Sequence, residues 1–166
     1  YGNADYCDAY DTTGWQYNFN ALCPNYTILV PDWWNRLLQD TNYTTLLKCR
    51  WKQLRTGRFS DVKISQWVDS VAALLSLPQQ RNFQKWPILG TYINWNYYIG
   101  LSYADEINYL KKWMKDRAKW MDNHLRLQQK CQQWFGQQRS CISPELKINS
   151  SGIARSPAAL WSRGRW

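Results

Sequence analysis

The stretch YADEINYLKKWMKDRAKWMDNHL (residues 103–125) decides the fold class, because its apolar side chains recur every three or four residues. That spacing places them on one face of an α-helix. Ser102 is suited to cap this helix, and Asp105 stands three positions later, as in a capping box. The stretch therefore predicts a long helix that ends near Leu125. Its buried face would carry Tyr103, Ile107, Leu110, Met114, Trp120 and Met121.

Three earlier segments show the same periodicity. The first runs from Val30 to near Asp40, and the second begins at a cap on Thr41 or Asn42 and ends at Gly57. The third starts after Ser60 and is kinked or interrupted at Pro78. Residues 1–29 lack such a period and indicate an irregular segment pinned by aromatic side chains, and residues 91–101 (TYINWNYYIGL) fit an extended loop or a short strand. These patterns predict a mainly α-helical domain.

Two arginines interrupt the apolar faces of the predicted helices. Arg50 lies on the stripe of the second helix, and Arg117 lies on or beside the stripe of the last one. An unpaired buried guanidinium would cost several kcal/mol. We therefore expect each to form a buried pair with a carboxylate or to donate to several backbone carbonyls, with a snorkelling stem as the alternative for Arg50.

The five cysteines do not follow the spacing of a zinc site. Cys7 and Cys23 flank a turn-rich loop with little apolar pattern, so we favour a disulfide between them. Cys49 lies inside a helical pattern and is expected to be a small buried apolar residue. Cys131 and Cys141 could pair with each other or remain unpaired.

The aromatic content is unusual, with 12 Trp and 11 Tyr against 4 Phe. The favoured explanation is structural, since Trp and Tyr combine a large buried area with one polar group that can reach a partner. The alternative is a binding module whose exposed rings stack on carbohydrate or on a protein partner, and residues 91–101 are a candidate stacking site. Burial of Trp33, Trp34, Trp67 and Trp86 would discriminate between the two.

The net charge of +9 is unevenly distributed along the chain. Residues 1–125 hold 14 Lys/Arg and 11 Asp/Glu, whereas residues 126–166 hold seven and one. We therefore divide the chain into a domain of residues 1–125 and a basic, Gln/Ser/Arg-rich tail of residues 126–166, predicted to be poorly ordered. Because the body is nearly neutral, nucleic-acid binding is not favoured. No stretch has the roughly 20 apolar residues of a membrane span, and no signal peptide is visible.

The sequence contains no recognisable catalytic motif. It lacks a Gly-rich phosphate loop and a nucleophile elbow, and His124 is its single histidine. Asp5, Asp8 and Asp11 crowd the N-terminal segment, but acids in such loops usually form solvated turns. Residue chemistry alone thus assigns no catalytic residue and no metal ligand.

Six stretches in series resemble the C-terminal part of the CotH kinase family, which is named for a spore-coat protein. They are YGNADY, GWQYNFN, VPDWWNRLLQD, LKCRWKQLR, RNFQKWPILGTY and EINYLKKWMKDRAKWMDNHL, and they span roughly residues 1–125. The resemblance implies the helical C-terminal lobe of an atypical protein-kinase-like fold. It also implies an extracellular or cell-surface location and a parent reaction that transfers phosphate from ATP to a protein hydroxyl.

The resemblance places most of the family's catalytic residues before Tyr1. These are the nucleotide-binding lysine, the catalytic aspartate and the acid that binds the nucleotide's magnesium. What carries over is Gly2 and Asn3, as the remnant of a metal-side loop. ATP and Mg²⁺ are accordingly expected for the full-length parent but not for this chain. Its implied partners are the N-terminal lobe of the parent and an unknown protein substrate, and we expect the chain alone to be inactive.

Overall fold

The structure, a computed structural model, describes residues 2–25, 29–125 and 131. In this part of the chain it is mainly α-helical, as predicted, and its β pairing is a single bridge between Ala4 and Asn96. The helices are α1 (Phe19–Leu22), α2 (Trp33–Gln39), α3 (Thr41–Arg55), α4 (Asp61–Leu74), α5 (Ser76–Lys85) and α6 (Tyr103–His124). Two 3₁₀ turns, Tyr6–Asp8 and Gln16–Asn18, precede them. The N-terminal segment is thus more regular than its sequence indicated.

Helix α6 begins and ends where its periodicity predicts. The Ser102 side chain accepts a hydrogen bond from the backbone N–H of Asp105 at 3.1 Å. At the other end, the N–H of Leu125 donates to the carbonyl of Met121. The 22 residues of α6 form the longest helix in the described ranges.

The ends of α3, α4 and α5 follow from local capping chemistry. Asp40 caps α3, because its carboxylate accepts from the N–H groups of Asn42 and Tyr43, so the predicted cap at Thr41 or Asn42 is wrong by one or two residues. Ser60 caps α4 as predicted. The long pattern is interrupted, as one of the two predicted alternatives has it, but the break lies between α4 and α5 at Leu75. Pro78 occupies the first turn of α5, where its missing N–H costs no hydrogen bond.

Helix α6 packs against α4, and α2 packs against α3. An ion pair between Lys111 and Asp69, 2.7 Å long, joins α6 to α4. Between these two helices lies an apolar groove of about 730 Å³, lined along α6 by residues such as Ile107 and Met114. Few residues are buried in the described part, and the apolar ones are Ala9, Phe19, Cys49, Ala118, Leu125 and Cys131.

Two disulfides fix segments that are distant in sequence. Cys7 bonds to Cys23 with a Cα–Cα distance of 5.6 Å, which lies within the window that a disulfide permits. Cys49 bonds to Cys131 across 82 residues, with a Cα–Cα distance of 5.4 Å. The expected burial of Cys49 is confirmed, but the residue also forms a bridge. Both alternatives given for Cys131, a bond to Cys141 or no bond, are wrong, because it pairs with Cys49. The remaining residues of the predicted tail, 126–130 and 132–166, lie outside the described residues.

None of the helices in the described ranges combines the length and apolar character that crossing a membrane requires.

Candidate functional site at the N-terminal face of α6

Three side chains on one face of α6 hold the N-terminal segment by its backbone. The hydroxyl of Tyr109 donates to the carbonyl of Gly2 at 2.7 Å, and the indole N–H of Trp113 donates to the carbonyl of Tyr10 at 2.6 Å. One turn further on, Arg117 Nη1 donates to two more carbonyls in this segment. Residues four apart lie on the same helix face. We call Tyr109, Trp113 and Arg117 the α6 donor row.

Arg117 makes the most contacts of the donor row. Its Nη1 lies 2.9 Å from the carbonyl oxygen of Thr12 and 2.7 Å from that of Gly14. Its guanidinium lies 4.7 Å from the ring centroid of Trp120 and 5.8 Å from that of Trp15, within cation–π range of both rings. Burial lowers the pKa of Arg117, and the nearby carboxylate of Asp11 partly offsets this effect. The arginine therefore contacts several backbone carbonyls, which is the second of the two arrangements that the sequence predicts.

Arg50 does not form a buried pair. Its side chain is exposed and donates to Gln53 within the same helix. The side of α3 that faces α6 carries Trp51 and Arg55, both of which bond to Asp122. Arg50 directly precedes Trp51, and adjacent helical residues point about 100° apart, so Arg50 lies off the contacting side and is exposed.

Gly2 and Asn3 lie where the N-terminal segment meets α6 and the 91–101 loop. Gly2 has φ +96°, a left-handed conformation that favours glycine, and a Cβ there would lie 3.6 Å from the ring of Trp113. The Asn3 side chain accepts from the N–H of Tyr98 at 2.6 Å and donates to the carbonyl of Tyr98 at 3.2 Å. Both groups of the Asn3 amide are thus occupied by the protein's own backbone.

The three acids of the N-terminal segment interact with three different residues. Asp5 accepts from the hydroxyl of Tyr92 at 3.0 Å, and Asp11 accepts from the N–H and the hydroxyl of Thr13. Asp8 interacts with Tyr10 and raises the pKa of its hydroxyl. Among the described residues, no group of three or more His, Cys, Asp or Glu side chains is placed to hold a metal ion.

A cleft of about 240 Å³ opens beside the Cys7–Cys23 disulfide. Asp8, Asp11 and Trp15 contribute to its walls, together with Trp113 and Arg117. The last two residues also line the apolar groove between α4 and α6. Trp113 and Arg117 therefore form the wall that the cleft and the groove share.

The tryptophans divide into two groups. Trp33, Trp67 and Trp86 are more than half exposed, so the prediction that they are core residues is wrong for these three. Trp51 and Trp113 instead match the structural explanation, because their indole N–H groups bond to Asp122 and to the carbonyl of Tyr10. The three exposed rings lie on different elements, namely α2, α4 and the end of α5, so they do not by themselves support a common binding face.

Sequence reasoning missed most of the donor row. Tyr109 and Trp113 lie outside the apolar face predicted for the last helix, so its periodicity assigned them no partner. The spacing of hydroxyl, indole N–H and guanidinium at positions 109, 113 and 117 is the signal that could have revealed them. Their partners are backbone carbonyls about 100 residues away, which no local pattern indicates.

The geometry can be compared with known protein families. The family described as CotH kinase protein matches residues 7–121, which is more than half of the chain. This chain belongs to the CotH kinase family. The match includes Trp113 and Arg117 of the donor row and the carbonyls to which they donate. Comparison with curated proteins found no match, and comparison with solved structures found none either.

The residues described here do not fit the ATP and Mg²⁺ that a CotH kinase implies. A magnesium–triphosphate site needs carboxylates for the metal and cationic or backbone donors for the phosphates. Asn3 is occupied by Tyr98, Asp5 bonds to Tyr92, and residues 1–35 contain no Lys or Arg. The nearby cation, Arg117, already donates to carbonyls. The arrangement can therefore position a backbone segment, but it cannot by itself orient a triphosphate.

Proposed function

We propose that this domain is the helical C-terminal lobe of a CotH-type protein kinase. The parent reaction would transfer the terminal phosphate of ATP, with Mg²⁺, to a Ser or Thr hydroxyl of a protein substrate. The observation that carries the proposal is the α6 donor row, together with the family match over residues 7–121.

The donor row supports a positioning role for α6. Phosphoryl transfer depends on placing the metal, the phosphates and the acceptor, more than on covalent chemistry by the protein. By the family resemblance, residues 2–14 follow the acid that binds the nucleotide's magnesium. Hydrogen bonds from Tyr109, Trp113 and Arg117 to this segment would hold that acid at a fixed position relative to α6.

We propose that ATP and Mg²⁺ bind in the parent through residues other than those described here. The N-terminal lobe of the parent is then the partner of this domain. On this proposal the chain alone transfers no phosphate, because positioning and charge stabilisation supply most of the rate.

The disulfides support an extracellular or cell-surface location. Disulfides such as Cys7–Cys23 and Cys49–Cys131 persist in oxidising compartments and are rare in the cytosol of most organisms. We therefore propose that the parent kinase acts on secreted or surface proteins.

The proposal is tested by phosphate transfer from labelled ATP with Mg²⁺ or Mn²⁺ to a Ser-rich acceptor. The product of the complete reading frame that encodes these residues should label the acceptor, and Arg117→Ala should reduce that activity. The chain of residues 1–166 should give no more label than a heat-killed sample. Activity of this chain that is lost in Asp5→Asn and Asp8→Asn would contradict the proposal, as would an inert complete protein.

A further inference from the structure

The loop of residues 91–101 presents three half-exposed aromatic side chains. Tyr92, Trp95 and Tyr97 are 52%, 54% and 52% exposed. We call these three residues the aromatic surface. Exposed aromatic rings grouped within six residues are unusual on a protein surface and mark candidate binding sites.

Each ring of the aromatic surface is braced by the N-terminal segment. Tyr10 stacks on Tyr97 with centroids 3.6 Å apart and ring planes 3° from parallel. Tyr6 contacts Trp95 edge-on at 5.3 Å. The third ring, Tyr92, is held by its hydroxyl bond to Asp5. The rings are therefore fixed before any ligand arrives, which lowers the entropy cost of binding.

The backbone of the loop is clamped on the same side. The N–H of Asp5 donates to the carbonyl of Trp95 at 2.8 Å, and the N–H of Tyr97 donates to the carbonyl of Asn3 at 3.0 Å. The Asn3 side chain closes the clamp through its two bonds to Tyr98. The clamp gives Asn3 a clear role in this chain, namely to hold the aromatic surface.

Trp95 adopts a backbone conformation that a bulky residue rarely accepts. Its φ is +81°, and the other described non-glycine residues with positive φ, Cys7 and Asp8, lie in the adjoining N-terminal segment. Such a conformation costs about 1–3 kcal/mol in a non-glycine residue and is concentrated at functional sites. Glycine or asparagine would relieve the strain, which makes Trp95 a candidate binding residue.

The charges around the aromatic surface restrict the ligand. Residues 1–35 and 86–110 contain no Lys or Arg, so the two segments that form this surface offer nothing to a phosphate or a polyanion. Asp5 adds a carboxylate and Asn94 adds a side-chain amide. Both accept a hydrogen bond from the hydroxyl of Tyr92, and both can also bond to hydroxyl groups of a ligand. A neutral ligand that is rich in hydroxyls and has flat apolar faces matches both features.

We propose that the aromatic surface binds a neutral β-linked polysaccharide. In a β-1,4-linked glucan the ring substituents are equatorial, so each sugar presents a flat C–H face to an aromatic ring and its hydroxyls at the edge. Each of the three rings is about half exposed, which suits contact with a polymer chain better than the enclosed aromatic cage that binds a small cation. This site is separate from phosphate transfer and does not depend on the kinase proposal.

Affinity electrophoresis of the chain through gels containing hydroxyethyl cellulose tests the proposal. The wild-type chain should be retarded relative to a gel without polymer. Trp95→Asn should bind about tenfold more weakly, as expected for the loss of about 1.4 kcal/mol of stacking. Because asparagine tolerates a left-handed φ, this variant should unfold at the same or a higher urea concentration. Loss of binding would then not be loss of fold.

Trp33→Ala is the matched control, since Trp33 is also 54% exposed but lies on α2. It should bind hydroxyethyl cellulose as the wild type does. Equal weakening in Trp33→Ala and Trp95→Asn would overturn the proposal, as would an absence of retardation in the wild type. Gels containing heparin and titration with a trimethyl-lysine peptide cover the other ligand classes. Tighter binding to either than to the neutral polymer, weakened in Trp95→Asn, would also overturn it, and this condition excludes binding of heparin through the basic residues 126–166.

Discussion

Arg55 and Asp122 form a two-pronged ion pair that joins α3 to α6 across 67 residues of sequence. Arg55 Nη2 lies 3.0 Å from Asp122 Oδ2, and Arg55 Nε donates to the same carboxylate at 3.1 Å. The guanidinium also pairs with Asp61 at the start of α4. Burial opposes the charge of Arg55, but its hydrogen bonds to the two carboxylates raise its pKa above the usual value. One arginine thus connects three helices.

The first prediction concerns this pair. Asp122→Asn should lower the free energy of unfolding by about 1–2 kcal/mol, because Arg55 and the indole of Trp51 lose a charged acceptor while the carboxylate's partial exposure limits the cost. Asp116→Asn is the control. Asp116 is equally exposed on the same helix, 39% against 40%, but pairs only with Lys112 one turn away. It should cost at most about 0.5 kcal/mol in urea unfolding. Equal costs would contradict the assigned role of Arg55.

The second prediction compares the two arginines that interrupt apolar stripes. Arg117→Lys should destabilise the domain by about 1–3 kcal/mol, because lysine cannot match the planar stacking and leaves two carbonyls without their donor. Arg50→Lys should change stability by no more than about 0.5 kcal/mol, since Arg50 is exposed. Urea unfolding measures both variants. Hydrogen exchange should also rise around residues 12–15 in Arg117→Lys, and unchanged exchange there would count against the donor row.

The third prediction concerns the long disulfide. Peptide mapping without reduction should recover Cys49 linked to Cys131, and a Cys131–Cys141 peptide would instead contradict the structure. The Cys49→Ala/Cys131→Ala variant should lose about 2–5 kcal/mol of stability, because the bridge closes a long loop in the unfolded chain. Cys7→Ala/Cys23→Ala is the comparison, with a sequence separation of 16 instead of 82. Its loss should be smaller by about 1–2 kcal/mol.

The fourth prediction follows from Tyr109. Burial, the first cause, and the neighbours Tyr97 and Glu106 raise the pKa of its hydroxyl above 10.0. Below the ordinary tyrosine pKa the hydroxyl is neutral in the folded and the unfolded chain. Above it the unfolded chain ionises first, so stability should fall as pH rises through and beyond 10.

Urea unfolding between neutral pH and strongly alkaline pH measures this effect. Tyr109→Phe should be less stable than the wild type at neutral pH, because the bond to Gly2 is lost. It should also show a shallower decline at high pH. An identical decline in both proteins would mean that folding does not raise the pKa of the Tyr109 hydroxyl.

The sequence by itself determined the helices and most of their ends. Periodicity and caps are local properties, so Ser60 and Ser102 could be identified as capping residues before any packing was known. Six short stretches in order likewise sufficed for the family, because the match depends on residue identity and order along the chain.

The tertiary structure decided which side of each helix is used and what the polar groups contact. Arg50 and Arg117 look alike in a helical pattern, yet only Arg117 faces the carbonyls of the N-terminal segment. The partners of Tyr109 and of Cys49 lie 107 and 82 residues away, where no periodicity reaches. Local sequence sets the backbone conformation of a helix, whereas its rotation and its partners depend on the free energy of contacts between distant segments.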